Sequence, residues 1–422
     1  MANKKVLING VPLPLKEVVY GFFPFYVKHG AKLDLKLDGR KITLNFPPVD
    51  ENNLDPDSVF FHSFDYIQDL TRLFHLRGNK SFEARIIIDK QKARDYFGLP
   101  PDFSCYEKFV PLESRLSPFK KKNKINIAFV AFGGGLGDTI VGKTALELLL
   151  SRLQCYFSEI NFFLYPIKLN SLSLLSQIPN VSSIQLLPAP LSSLKKADFY
   201  FDFSMMTGHY NFNALPMIDY FLFHLGIDPS SIPPEKKRCS YRINEGVVKE
   251  LEPVLSLLKK RHGPLLLYHF KATTPIRSIP PQLIPKHIRD IIDNTDFTVA
   301  SVLPCRFNHP RFLDLSGLSK SFDHFAYIIS QMDAIITVDT VTFHLADAFS
   351  IPTVVLFTSI PPELRIKYYP HQKGILIGGK NGKPLFYCHE TNEKKLVSAF
   401  RKAWKKFSIL EAVKLLKECV SD

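Results

Sequence analysis

From residue 125 onward, apolar runs of strand length alternate with stretches of helical periodicity, and this rhythm constrains the fold more than any other feature. INIAFVAF (125–132) is an unbroken apolar run, the pattern of a strand covered on both faces. A glycine-rich turn follows, then a helix expected from about 138 to 153. INFFLYP (160–166), SSIQLLP (182–188) and ADFYFDFS (197–204) read as further strands. INEGVVKELEPVLSLLKKRHG (243–263) reads as a helix that stops at Gly263-Pro264. A second series then begins, with strands expected at 263–270, 296–304, 333–339 and 353–358 and a helix over 342–349. Alternating strand and helix is the signature of parallel-sheet α/β architecture. Two Rossmann-like lobes, joined by a linker near 245–264, account for both series.

The first part of the chain reads differently. AKLDLKLDGRKITLNF (31–46) alternates apolar and polar residues around Asp38-Gly39, a hairpin signal. ARIIID (84–89) is another strand candidate, and Pro118 with Lys120-Lys121-Lys122 marks a linker. The expected division is an N-terminal α+β or β-rich extension over 1–119, one lobe over 120–250, and a second lobe with C-terminal helices over 251–422.

Charge and cysteine usage narrow the partners. A net charge of +14 favours anionic ligands: nucleotide phosphates, an anionic membrane face or nucleic acid. No zinc-finger spacing and no aromatic RNA-reading motif accompanies the charge, so nucleic acid is not expected. The six cysteines show no CxxC pairing and no zinc-site spacing, and no secretory leader is recognisable, which suits a reducing cytoplasm and a chain without a bound metal. No apolar stretch is long enough for a membrane span.

FVAFGGGLGDTIVGKTAL admits two readings. Gly137, Gly142, Lys143 and Thr144 match G-x-x-x-x-G-K-[ST] literally, the pattern of a phosphate-cradling ATPase loop. Against it, four residues separate the strand end from Gly137, and bulky Ile140 and Val141 crowd the stretch. In the other reading, Gly134, Gly135 and Gly137 let the backbone approach a ligand, and Asp138 opens the helix at the carboxyl edge of the sheet, where such folds bind ligands. Asp138 there is either a cap of the helix or a base for an acceptor hydroxyl.

In the second lobe, DAIITVDTVTFHLADAFSIPTVVLF (333–357) carries the strongest signal. A strand ends at Asp339, Thr340 and Thr342 supply hydroxyls, and a helix N-terminus offers free N–H groups to a phosphate. His344 in its first turn is either a packing histidine or part of that anion site.

The pattern D-[ST]-x-x-x-H-L-A-x-A followed by P-T-V-x-L-F resembles glycosyltransferase family 9, the heptosyltransferase family of bacterial envelope synthesis. DLSGLSKSFDHFAYIIS (314–330), HFKATTPIRSIPP (269–281) and GDTIVGKTAL resemble further stretches of that family, in its order, over most of residues 125–370. The resemblance implies the glycosyltransferase B fold: two Rossmann-like lobes facing across a cleft, the donor mainly on the second and the acceptor on the first. It implies metal-independent, inverting transfer from a nucleotide-diphosphate sugar, which is a substrate rather than a cofactor. Asp138 would then be the general base, and Thr273 and Thr274 would contact the diphosphate. Asp339, Thr340, Thr342 and His344 would form the donor site, and Lys271 and Arg277 are cations suited to the leaving diphosphate. Two positions depart from the family pattern: Val341 stands where glycine is frequent, and Ser278 stands near the usual lysine, with Arg277 beside it.

The implied acceptor is a bacterial envelope glycan, a lipid-linked glycan or a protein hydroxyl. A nucleotide-sugar-binding module without catalysis is the other reading of the same cleft. The C-terminal EKKLVSAFRKAWKKFSILEAVKLLKECV places Leu396, Val397, Phe400 and Trp404 at helical spacing with lysines opposite. That pattern fits core-packed terminal helices or peripheral contact with an anionic membrane at the inner face.

Overall fold

The computed structural model describes residues 98–421 apart from 104–107, 188, 205, 207–208 and 386–393. Before residue 98 it describes only the backbone of seven short strands. These are β1 (Val6–Ile8), β2 (Val11–Leu13), β3 (Phe22–Val27), β4 (Ala31–Leu37), β5 (Arg40–Phe46), β6 (Phe60–Ser63) and β7 (Ala84–Ile86). The expected hairpin is β4 paired antiparallel with β5, closing at Leu37 opposite Arg40. The expected strand at 84–89 is the shorter β7, paired with β3.

The chain separates into two compact units, 1–212 with 219–231, and 213–218 with 232–422. In the first, β8 (Lys124–Val130), β9 (Glu159–Tyr165), β10 (Val181–Ile184) and β12 (Phe199–Asp202) form a parallel sheet in the order β10-β9-β8-β12. The short β11 (Ala189–Pro190) leaves that sheet and pairs with β6, so part of the N-terminal segment shares a sheet with this unit. Phenylalanines fill its core: Phe129 stacks on Phe201 at 5.7 Å, and Phe132 meets Phe203 edge-on at 5.2 Å. Such aromatic pairs add to the apolar area that they bury.

The second unit contains one six-stranded parallel sheet. Its strands are β13 (Leu265–His269), β14 (Thr298–Ser301), β15 (Phe312–Asp314), β16 (Ala334–Val338), β17 (Thr353–Phe357) and β18 (Gln372–Leu376), in the order β15-β14-β13-β16-β17-β18. β13, β14, β16 and β17 are wholly buried, as their unbroken apolar runs require. β15 and β18 are short edge strands that the sequence reading did not single out.

Seven longer helices are used below: α1 (Leu136–Leu153), α2 (Glu245–His262), α3 (Ile284–Asn294), α4 (Phe322–Ser330), α5 (Val341–Ala348), α6 (Lys394–Lys406) and α7 (Ile409–Ser421). Ile288, Ile291 and Ile292 of α3, Trp404 of α6 and Leu416 of α7 join Leu266, Ile336 and Leu356 of the sheet in one core cluster. α6 thus uses its apolar face for packing, and its exposed Arg401, Lys402, Lys405 and Lys406 lie away from it. Among the described residues, no helix is long and apolar enough to cross a membrane.

The ATPase-loop reading of Gly137–Thr144 does not survive. α1 begins at Leu136, two residues before the expected start, so every position from Gly137 to Thr144 is helical and cannot wrap a phosphate. Lys143 is buried and pairs with Glu147 at 2.7 Å, one turn along. Gly142 has a packing role: a Cβ there would lie 2.6 Å from Phe132 Cζ and 3.2 Å from Phe221.

Gly→Ala in a helix ordinarily gains about 1 kcal/mol. Here Phe132 is held among Phe129, Phe203 and Phe221 and has nowhere to move. Gly142→Ala is therefore expected to destabilise the protein by about 1–3 kcal/mol, the usual overpacking range. A urea midpoint that rises or stays level would contradict this account of the glycine.

Candidate functional site

Each sheet reverses its winding once. In the first unit the connections run outward from β8 to β9 and β10, then return to place β12 on the other side of β8. In the second they run from β13 to β14 and β15, then return to β16. At such a point the loops after two neighbouring strands diverge and leave a crevice at the carboxyl edge of the sheet. The loops after β8 and β12, and those after β13 and β16, therefore mark the candidate sites, one on each unit.

On the first unit, the chain leaves β8 through two left-handed residues, Ala131 at φ 58° and Gly133 at φ 89°. Gly134 borders open space. Gly135 is the N-cap of α1, with no side-chain cap, and its carbonyl accepts from the Thr139 amide at 2.8 Å and hydroxyl at 2.7 Å. Gly137 and Asp138 are the second and third residues of the helix. A Cβ on Gly135 would meet Asp138 Oδ2 at 2.8 Å, so the glycine makes room for that carboxylate over the start of the helix. A carboxylate there is favoured by the free N–H groups and by the helix dipole.

Other polar groups gather on this unit beyond the residues expected from sequence. Asp202 ends β12, is fully buried, and accepts from the Ser204 amide at 2.8 Å. His224 Nε2 lies 2.9 Å from the Asp202 carbonyl oxygen, and His209 Nδ1 lies 2.7 Å from the Tyr220 hydroxyl. Burial, reinforced by the charges of Asp202 and Asp138, pushes the Tyr220 phenol well above its ordinary value. Tyr220 is thus a hydroxyl, never a phenolate, at neutral pH. The signal for Asp202 was present in ADFYFDFS, an acidic residue ending a strand next to the reversal. His209, Tyr220 and His224 were not singled out from the sequence.

On the second unit, Arg277 ties the loop after β13 to the end of β16. Its Nε donates to Thr274 Oγ1 at 3.2 Å, Nη2 to Thr273 Oγ1 at 2.6 Å and Nη1 to the Asp339 carbonyl at 3.2 Å. Nη1 also lies 3.6 Å from Asp339 Oδ2. Thr273, Thr274, Arg277 and Asp339 thus form one connected group, as a rigid guanidinium fork allows. Ser278, where the family pattern has lysine nearby, closes the loop on itself. Its hydroxyl accepts from the Ala272 amide at 3.0 Å and donates to the Thr274 carbonyl at 2.8 Å. Lys271 is exposed.

α5 starts beside this group. Thr340 is its N-cap, and no side chain caps the helix. Thr342 is fully buried, and its hydroxyl turns inward onto His269 Nδ1 at the end of β13. Burial holds the His269 imidazole down to about 4, so it is neutral at physiological pH. His344 points away from the helix start: its Nδ1 lies 2.7 Å from the Tyr369 hydroxyl. Burial, then the charge of Arg365, keeps it neutral as well. The structure therefore joins Thr273, Thr274, Arg277 and Asp339, sets Thr340 and the α5 amides beside them, and engages the Thr342 and His344 side chains elsewhere. His269 carried no sequence signal, because a lone histidine after an apolar run resembles any core histidine.

Residues 313–395 match the sequence profile of Glycosyltransferase family 9 (heptosyltransferase). No curated protein matches the chain. Among solved structures, the chain is similar to an ADP-heptose lipopolysaccharide heptosyltransferase II from E. coli. The two share 16% identity, with a TM-score of 0.44, over 67% of this chain and 99% of that one. A glycosyl transferase family 9 protein from Veillonella parvula shares 13% identity, with a TM-score of 0.49, over 71% of this chain and 97% of that one. The iron-containing dodecameric glycosyltransferase TibC from enterotoxigenic E. coli shares 12% identity, with a TM-score of 0.46, over 72% and 80%. The profile match runs from the end of β15 to the start of α6 and includes Asp339 and α5. By that match residues 313–395 of the chain resemble glycosyltransferase family 9, the heptosyltransferases.

Proposed function

We propose that the protein transfers a sugar, a heptose being the first candidate, from a nucleotide-diphosphate donor to a hydroxyl of a bacterial envelope glycan, lipid or protein, with inversion and without a metal ion. The observation that carries this reading is the coincidence of the family match with the Arg277–Asp339 group and the uncapped start of α5. The donor side is assigned to residues 251–422 and the acceptor side to 120–250.

Glycosyl transfer breaks the bond between the anomeric carbon and the diphosphate while the acceptor oxygen attacks from the opposite face. Negative charge develops on the leaving diphosphate. In this reading Arg277, the hydroxyls of Thr273, Thr274 and Thr340, the Lys271 ammonium and the α5 amides stabilise that charge, the role of preorganised donors in a shielded site. The acceptor hydroxyl gives its proton to Asp138. Thr342 contributes through its backbone amide, since its side chain is engaged with His269, and His344 supports the helix from behind. A nucleotide-sugar-binding module without catalysis is the outcome if the protein binds a nucleotide sugar but transfers nothing.

The reading includes a reducing, cytoplasmic location with peripheral contact at an anionic membrane face. Cys155, Cys239, Cys305 and Cys419 are free thiols, which suits the first. The exposed cations of α6 suit the second.

Three measurements follow. Transfer by the wild type is expected to persist in excess EDTA, and Asp138→Asn to lose at least about 10²-fold in rate while still binding donor. A rate abolished by chelation, or an unimpaired asparagine variant, removes the corresponding part of the mechanism. Arg277→Ala is expected to weaken donor binding about tenfold or more, the scale of one charge-assisted hydrogen bond. Arg277→Lys should recover little, because an ammonium cannot span Thr273, Thr274 and Asp339 together. Calorimetric titration showing full recovery would mean that only the charge matters. Finally, the protein should co-sediment with phosphatidylcholine vesicles only when they contain phosphatidylglycerol, and be released by high salt. Equal sedimentation with neutral vesicles would refute the electrostatic contact.

A further inference from the structure

Just after the boundary between the two units, the chain lays a strap, residues 237–241, along the second unit. The anchors of that strap end on α5 itself, on α4 and on the segment around Tyr368 and Tyr369. The Lys237 ammonium lies 3.1 Å from the Tyr368 hydroxyl and 4.2 Å from the centre of its ring. Arg238 donates from Nε to Asp347 Oδ1 at 3.0 Å, and from Nη2 to the Asp347 carbonyl at 2.8 Å and Ser350 Oγ at 2.9 Å. The Cys239 amide donates to Asp347 Oδ2 at 2.7 Å, and its thiol lies 3.1 Å from the Tyr369 hydroxyl that also meets His344. The Tyr241 hydroxyl donates to Asp323 in the first turn of α4.

The Arg238 and Cys239 contacts converge on Asp347 in the last turn of α5. Asp347 sits near its end, with only 1% of its side chain exposed. Both carboxylate oxygens are taken, one by Arg238 and one by the Cys239 amide. Arg238 also serves a carbonyl of the terminal turn, where a cation is favoured by the helix dipole. Ser350 just beyond adopts a left-handed conformation, φ 56°, which a non-glycine residue does not adopt readily, and the same guanidinium holds its hydroxyl. Burial pushes the Asp347 carboxyl up to about 6, so at neutral pH a buried carboxylate depends on these donors.

α5 is only 8 residues long. A short helix moves as a rigid body, so fixing its last turn fixes its first. We infer that Arg238, acting through Asp347, is a positioning residue of the donor site: the strap sets the axial place of α5 and so the place of the amides at Thr340–Thr342. The inference rests on the proposed donor site. It adds a residue outside every motif that marked that site. It also ties the donor helix to the segment by which the chain enters the unit.

The test measures donor KM, kcat and melting temperature for wild type, Arg238→Ala, Arg238→Lys and Asp347→Asn. A positioning role predicts donor KM raised at least about tenfold in Arg238→Ala with kcat changed far less, since small misplacements of a binding group carry large penalties. Arg238→Lys retains the charge but not the three-way fork, so it should fall between wild type and alanine. Asp347→Asn, which keeps one acceptor, should do the same. If Arg238→Ala does not fold, the lysine and asparagine variants decide by the same ratio. Variants that melt earlier but keep wild-type donor KM in their folded fraction overturn the inference and leave a merely structural strap. A wild type that neither binds nor transfers from any nucleotide sugar overturns the donor site itself, and is told apart because it needs no variant to be seen.

Discussion

β13 and β16 are hydrogen-bonded neighbours, Leu266 beside Ala334 and His269 beside Thr337, although β14 and β15 intervene in sequence. That pairing is the constraint on which the second unit depends. It makes the loop after β13 and the loop after β16 leave the sheet side by side and part to opposite faces. Nothing in the backbone closes the gap, so side chains must. Arg277 does so from one loop and Asp339 from the other, while His269 and Thr342 lock the floor beneath them. A planar guanidinium is suited to this because it presents several donors at fixed angles, and two of them are satisfied by the adjacent threonines.

The first unit repeats the topology with different chemistry. β8 and β12 part in the same way, but the polar residues near their ends are of another kind: glycines, the Asp138 carboxylate and a buried aromatic–histidine group. The contrast is physically coherent with the proposed division of labour. A diphosphate needs donors and positive charge, whereas an acceptor hydroxyl needs an acceptor for its proton and room to approach. Ala131, in the left-handed region at φ 58°, is a constrained point of the chain on this unit.

The parallel architecture was legible in the sequence because a strand covered on both faces must be apolar throughout, and INIAFVAF or AIITV has no other comfortable place. Asp339, Thr340 and Asp138 were legible because they stand where a strand pattern gives way to a helix pattern. The literal ATPase-loop match was misleading for a related reason: a spacing of residue types does not say whether the intervening backbone is loop or helix, and Ile140 and Val141 packing inward decided it for helix. The strap could not be read at all. Lys237, Arg238 and Cys239 lie in a stretch without periodicity, and their partners are more than a hundred residues away. Long-range polar contacts leave no local pattern. Edge strands β15 and β18 were missed because three to five residues half-exposed to solvent carry too little alternation to register.

In the structure the cation of the proposed donor site is already occupied. Arg277 faces Asp339 and both threonines, so an arriving diphosphate exchanges partners rather than adding to a vacant charge. The net gain is then the difference between a diphosphate carrying two charges and a single carboxylate, smaller than the raw attraction would suggest. The arrangement has a compensating virtue. A guanidinium held in place has no conformational freedom left to lose, and an Asp339 released from it is free to accept from a sugar or ribose hydroxyl. The α5 amides, which no side chain caps, are the part of the site that a ligand would engage without displacing anything. On this reading the helix start supplies the larger share of donor affinity and Arg277 the larger share of its geometric selectivity. That division explains why so short a helix is held so firmly at its far end.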